Sequence, residues 1–444
     1  MVAPSLTLGG LGQTVFGLGF VDAVLVIFFF NLLAVLTVCF FSIFGVAFGL
    51  RQMVLSRFWF GWWGVKGIAI LNVMSCLGWS MVNVIVGAQL LYAVNHNIPG
   101  YAGILILAFL TLLITFFGYR VIHMYEKVSL YPPLGVFITI MGVLIKSNDF
   151  VNVPMGRGWA ELGSVLSFGS TVFGFGTGYT SVAADYTVYQ PSDRSRWRIF
   201  LATWLGILPT LLFTEMLGAA LVTTTYPNDG NNIYKQGYDE ANTGGLVAAL
   251  LFPYAKGWGK VCVVLLALSI VATNCPNIYS VSLTMKVIGA WTDRVPRFAW
   301  TIIATVIYVG VSIPAYFFFE SFLRNFMTGI GYWLAIYEGI ALTDHFVFQR
   351  GMIGYQPQNY NLREQLPVGI AAVLAFFCGA AGVALGMSQT WWVGPIARHA
   401  GVPPRGGDVG FELGFLFASL GYIVLRYLEL YISLMVRLVR LFSG

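Results

Sequence analysis

The sequence predicts an all-helical integral membrane protein with about twelve transmembrane helices, arranged as a five-plus-five inverted repeat whose helices one and six are broken. Three observations predict it. Of 444 residues, 58% are hydrophobic and 9% charged, with a mean hydropathy of +0.79, whereas a soluble domain carries about 25% charged residues. Apolar windows near the ~20 residues that cross a bilayer recur along the whole chain. Finally, Thr14-Val15-Phe16-Gly17-Leu18-Gly19 in the first window returns as Thr171-Val172-Phe173-Gly174-Phe175-Gly176 in the sixth. Each Gly costs about 1 kcal/mol in a helix interior, and backbone freed inside a bilayer survives only within protein or along a cavity. Two interrupted spans in matching positions of two halves point to a secondary transporter's binding site.

The windows fall near 5–20, 21–45, 64–94, 101–119, 130–147, 160–186, 199–224, 258–285, 298–317, 323–346, 367–390 and 410–436. Helices one and six lie five apart and so cross in opposite directions, as an inverted repeat requires. This divides the chain into a first repeat at 1–147 with a truncated helix one, a second at 160–346, and two additional helices at 367–436. With a cytoplasmic N-terminus, fifteen Lys and Arg fall in inner segments against eight in outer ones, Arg426 lying within the last span. The positive-inside rule therefore places both termini in the cytoplasm. The outer segment 226–257 carries turn-forming Asn, Asp and Gly and reads as a solvated loop.

No nucleotide-binding Gly-x-x-x-x-Gly-Lys-Ser/Thr loop, HExxH, Gly-x-Ser-x-Gly or dinucleotide fingerprint is present. The four histidines fall at span ends or in loops, and the five cysteines lie in apolar spans without metal-ligand spacing. The expectation is a protein that is not an enzyme, with no cofactor, no metal and no nucleic-acid partner, whose solvent is the lipid bilayer.

Polar and aromatic groups at mid-span are the candidates for function. On helix three, Trp79 and Asn83 share one face, four residues apart. They offer a flat π surface beside an amide that donates and accepts, or alternatively a helix–helix contact. On helix eight, Thr273, Asn274, Pro276 and Asn277 gather at one depth, where Pro276 removes a backbone donor. Helix six adds Gly174, Gly176, Gly178 and the ring of Tyr179. Two aromatic faces and two amides suit a flat, neutral, hydrogen-bonding solute. Asp22, Asp185 and Glu215 are ionisable residues at or near membrane depth, each a candidate proton carrier or a structural cap or ion pair.

Gly9-Gly10-Leu11-Gly12, Phe16-Gly17-Leu18-Gly19-Phe20-x-Asp22, Gly49-Leu50-Arg51-Gln52-Met53, Gly78-Trp79-Ser80, Ala183-Ala184-Asp185-Tyr186-Thr187-Val188-Tyr189 and Asn274-Cys275-Pro276-Asn277 together resemble the fungal purine-cytosine permeases of the nucleobase–cation symporter-1 family. The resemblance covers essentially the whole chain. It implies proton-coupled uptake of cytosine and purines such as adenine, guanine and hypoxanthine at the plasma membrane. It also implies that Trp79, Asn83, Pro276 and Asn277 are binding-site residues, with Thr7 as a small hydroxyl before the first Gly motif. Two positions depart from the family pattern: Tyr179 stands where a Trp is usual and Thr273 where an Asn is expected. The family's hydrophilic tail and first half of helix one have no counterpart before Thr7, so the expectation is a truncated or divergent form. The alternatives are a pyridoxine-type vitamin permease and a non-transporting sensor or inactive relative.

Overall fold

Apolar runs in a bilayer satisfy their backbone hydrogen bonds internally, which favours helix wherever Gly and Pro do not intervene. A computed structural model describes residues 3–117, 124, 125, 128–226 and 231–442, so positions 118 and 119 of the fourth expected span and 227–230 of the outer loop lie outside the described residues. The main helices are α1 (Ala3–Thr14), α2 (Phe20–Phe48), α3 (Gln52–Val94), α4 (Gly100–Phe116), α5 (Tyr131–Ser147), α6 (Gly158–Gly176), α7 (Arg196–Val222), α8 (Ile233–Ile288), α9 (Arg297–Ala315), α10 (Phe319–Thr343), α11 (Ile370–Gly386) and α12 (Gly410–Phe442). Six helical stretches among the described residues are long and apolar enough to cross a membrane, and Gly100–Phe116, Tyr131–Ser147 and Ile370–Gly386 are shorter apolar helices.

The helices sort into two packed groups. In one, α2 packs on α6 and α7, and α1 on α7; in the other, α3 runs along α8, and both meet α4 and α9. Adding five to each helix number maps either group onto itself (one, two, six, seven; three, four, eight, nine), which is the internal symmetry expected of a five-plus-five repeat. Helix α10 joins α6 to α12, and α11 packs along α12. On α10, a Cβ on Gly339 would come within 2.8 Å of the Phe415 carbonyl, and Tyr422 donates to Asp344 at 2.8 Å.

The two Gly motifs play unlike parts. The second sits at a true interruption: α6 ends at Gly176, a 3-10 stretch covers Thr177–Val182, and a short helix resumes at Ala183–Thr187. The first ends α1 instead of opening it mid-span. Gly17 turns the chain at φ +66°, and a Cβ on Gly19 would lie 2.4 Å from the Pro154 carbonyl. A further break in α3 is set by Gly61 at φ +69°.

The outer segment read as a solvated loop is mostly helical. α8 begins at Ile233 and bends at Ala241, Asn242 and Lys256 before its long run, and Leu246, Val247, Leu250 and Leu251 are fully buried. The polar Asn and Asp at its start mask the apolar run Leu246–Phe252 that drives this packing.

Candidate functional site

Two regular helices and one interruption of helix place side chains in one cavity of about 430 Å³ between the two groups. Pro276 lies within α8 without the helix break expected of it, the non-helical dihedrals of that helix being at Ala241, Asn242 and Lys256, and Thr273, Pro276 and Asn277, spaced i, i+3, i+4, turn one half-buried face into the cavity. Cys76, Trp79 and Asn83 do the same from α3. The 3-10 stretch after α6 contributes Gly178 and Tyr179, and α2 and α7 add the hydroxyls of Ser42, Thr203 and Thr210.

The Trp79 ring is held by its edges, with Phe175 at 5.1 Å and 78° and Phe326 at 5.8 Å and 81° between ring planes. Gly178 lies against it so closely that a Cβ there would come within 2.5 Å of Trp79 Cζ2. Tyr179 packs edge-on to Tyr186 at 6.4 Å. Asn83 donates to Asn274 Oδ1 at 3.5 Å, which links α3 to α8 and turns Asn274 away from the cavity into full burial. The cavity wall ends at Leu130 and Tyr186, which are 48% and 44% exposed. It opens at the end of the molecule where Leu130, at the start of α5, and the chain beyond the α6 break lie.

Other expected site residues fall elsewhere. Gly174 and Gly176 serve close packing: a Cβ would reach 1.9 Å from the Met327 carbonyl at the first and 2.8 Å from Ala34 Cβ at the second. Thr7 is buried in α1, its hydroxyl on Ala3 O at 3.5 Å, and Pro4 lines the cavity from that helix instead. Asp185 accepts from the backbone N–H of Gln52 at 2.9 Å, satisfying an orphan donor at the start of α3. Asp22 accepts from Gly156 N at 3.1 Å. Glu215 is fully buried among α1, α2 and α7 and accepts from Asn31 Nδ2 at 2.6 Å.

One buried carboxyl was not singled out by the sequence reading. Glu338 of α10 lies against Thr177 of the 3-10 stretch, which donates to its Oε1. Its signal was available as the lone charge in Trp333–Leu342. Cys76, read with the other cysteines as a buried hydrophobe, is also a wall residue of the cavity.

Residues 1–394 match the family described as permease for cytosine/purines, uracil, thiamine, allantoin. The chain is 57% identical to the purine-cytosine permease fcyB of Emericella nidulans over 97% of its own length and 83% of that protein's. It is 46% identical to the purine-cytosine permease FCY2 of Saccharomyces cerevisiae over 97% and 81%, and 30% identical to the vitamin B6 transporter TPN1 of the same yeast over 95% and 80%. In fold it is similar to the inward-facing conformation of Mhp1, with a TM-score of 0.72 over 98% of this chain and 88% of that one at 16% identity. A closed form of Mhp1, a nucleobase-cation-symport-1 family transporter with bromovinylhydantoin bound, gives 0.67 over 97% and 89% at 17% identity.

Proposed function

The chain belongs to the family of permeases for cytosine/purines, uracil, thiamine and allantoin, and from that membership we propose that it takes up cytosine and purines with protons by alternating access. It is a multi-pass membrane permease, not an enzyme. The observation that carries the substrate reading is the meeting of Trp79, Asn83, Gly178, Tyr179, Pro276 and Asn277 in one cavity. At about 430 Å³ its size falls within the range of roughly 300–1,000 Å³ usual for small-molecule sites.

In this reading the nucleobase stacks between Trp79 and Tyr179, and buried aromatic stacking adds about 0.5–1.5 kcal/mol beyond area burial. Asn83 and Asn277 bond the edges of the ring, each amide both donating and accepting, while Gly178 lets the backbone approach. The α1–α2–α6–α7 group rocks against the α3–α4–α8–α9 group, exposing the site to each side in turn. The five-helix halves at 1–147 and 160–346 supply one member of every such pair, and 367–436 stands outside the repeat. A proton favours the loaded state by binding it more tightly than the empty one. The charge asymmetry of the loops supports cytoplasmic termini, and uptake of nutrients places the protein in the plasma membrane.

The greater identity to purine-cytosine permeases than to the vitamin B6 transporter favours nucleobases over pyridoxine. Radiolabelled cytosine uptake in cells lacking their own nucleobase permeases tests the reading. Uptake is expected to collapse with a protonophore and to be competed by hypoxanthine but not by pyridoxine. Uptake indifferent to the protonophore, or absent despite surface expression, overturns it.

A further inference from the structure

Glu338 is 1% exposed and reaches from α10 toward the 3-10 stretch whose next residues, Gly178 and Tyr179, form the cavity wall. Around it stand three hydroxyls from two elements. Thr37 of α2 lies 3.2 Å from Thr177 and 3.1 Å from Thr180, and Thr177 lies 3.0 Å from Thr180. Thr177 donates to Glu338 Oε1, and Thr37 donates to the Ala34 carbonyl at 2.8 Å.

Counting hydrogens decides what this cluster holds best. Each hydroxyl has one hydrogen to give. With the carboxyl ionised, those of Thr177 and Thr37 are already committed, so the three hydroxyl–hydroxyl contacts share the single hydrogen of Thr180. When Glu338 is protonated, the carboxyl donates to Thr177, and Thr177 turns its hydrogen into the triangle. Two of the three contacts are then filled. The cluster is two hydrogens short with the carboxyl ionised and only one short once it carries a proton.

Among the described residues nothing cationic is paired with the charge: no Lys, Arg or His forms an ion pair with Glu338. Its chain neighbour Tyr337 bonds Gln52 and Ser56 of α3, and Asp185 sits on the backbone of Gln52 beyond. From α12, Asp408 on the preceding loop meets Tyr332, six residues before Glu338, and Tyr422 meets Asp344, six residues after it. Also on α12 are Glu412 and the Arg426–Glu429 pair. From the 3-10 stretch Thr177 bonds it, and Thr37 of α2 and Thr180 stand behind that hydroxyl.

We propose that Glu338 is the proton-carrying residue of the transport cycle. A proton taken from water on the outer side binds the Glu338 carboxylate, is held by Thr177, Thr180 and Thr37, and leaves to water on the inner side, restoring the carboxylate. Because Thr177 and Thr180 belong to the stretch that supplies Gly178 and Tyr179, protonation and the shape of the substrate wall change together. Glu215, by contrast, bonds Asn31 within the packed α1–α2–α7 group.

The inference rests on the proton-coupled nucleobase reading, and the test separates the two. The full-length wild type and its variants are reconstituted in liposomes. Radiolabelled cytosine accumulation is driven by an inward proton gradient, with a sodium gradient as a second arm, and cytosine counterflow is measured without any gradient. Glu338→Gln, fixed in the neutral form, is expected to keep counterflow and lose gradient-driven accumulation at least tenfold. Glu215→Gln and Glu338→Asp are expected to retain accumulation, the Asp variant with a shifted pH profile. Proton-driven accumulation in both wild type and Glu338→Gln overturns the assignment alone. Accumulation by wild type that ignores the proton gradient, or follows sodium instead, overturns the coupling reading and the assignment with it. Loss of both counterflow and cytosine binding in Glu338→Gln overturns the assignment, since the neutral form would then not be the competent one.

Discussion

Trp79 is held from two edges and backed by Gly178, so its plane is fixed before any ligand arrives. Trp79→Ala should therefore raise the half-saturation concentration for cytosine at least tenfold in uptake assays, while surface expression stays near wild type. Gly178→Ala puts a methyl 2.5 Å from the ring and should weaken uptake by displacing the same plane. Asn277→Ala is expected to discriminate among bases: a lost edge contact costs about 1–3 kcal/mol when it leaves a polar group unpaired, so competition by cytosine and hypoxanthine should change unequally. Trp79, Asn83 and Asn277 were legible because a polar or flat side chain in the middle of an apolar span is an anomaly. Gly174 and Gly176 were not, because a glycine pattern does not say whether the missing Cβ frees a backbone or admits a neighbour. Glu338 was equally anomalous, but its meaning depends on three hydroxyls scattered between Thr37 and Thr180.

Helix α1 meets α7 backbone to backbone. A Cβ on Gly9 would lie 1.8 Å from the Glu215 carbonyl, and one on Gly218 would lie 2.0 Å from the Leu6 carbonyl. Gln13 donates across the same seam to Ala219 O at 2.9 Å. Overpacking a tight contact costs about 1–3 kcal/mol and occasionally more. Gly9→Ala and Gly218→Ala should each lower the thermal midpoint of the detergent-solubilised protein. Because either one pushes the same two helices apart, the double variant should lose less than the sum of the two. Most helices could be read from apolar length alone, and the expected windows at 64–94 and 258–285 match the long runs of α3 and α8 beyond Gly61 and Lys256. The outer part of α8 escaped notice because its polar start outweighs its apolar middle in any local reading. Only packing against the rest of the bundle makes that stretch a helix.

At the scale of the molecule, the cavity opens at one end, and a different set of bonds lies at the polar pocket formed by the end of α1, the start of α8 and α10. There Tyr238 donates to Glu320 and lies 3.4 Å from Thr14. Tyr238→Phe removes that tie and should slow thiol modification of Cys76, a wall residue, by shifting the population toward the opposite opening; cytosine should protect Cys76 in the wild type. Two groups of helices that repeat at an interval of five could be anticipated from the recurrence of one short motif, although its first copy turned out to be a turn. How the groups meet was not legible, since it rests on contacts between residues more than a hundred positions apart. The grip of α12 on α10 has a mechanical consequence. Tyr332, before Glu338, bonds Asp408 on the loop that leads into α12, and Asp344, after it, is tied to Tyr422, so α10 is clamped to a frame on both sides of Glu338. The hydroxyls, on α2 and the 3-10 stretch, belong to the group that rocks in the proposed cycle. In the proposed cycle a proton on Glu338 need not travel with the cargo: it is gripped and let go in place.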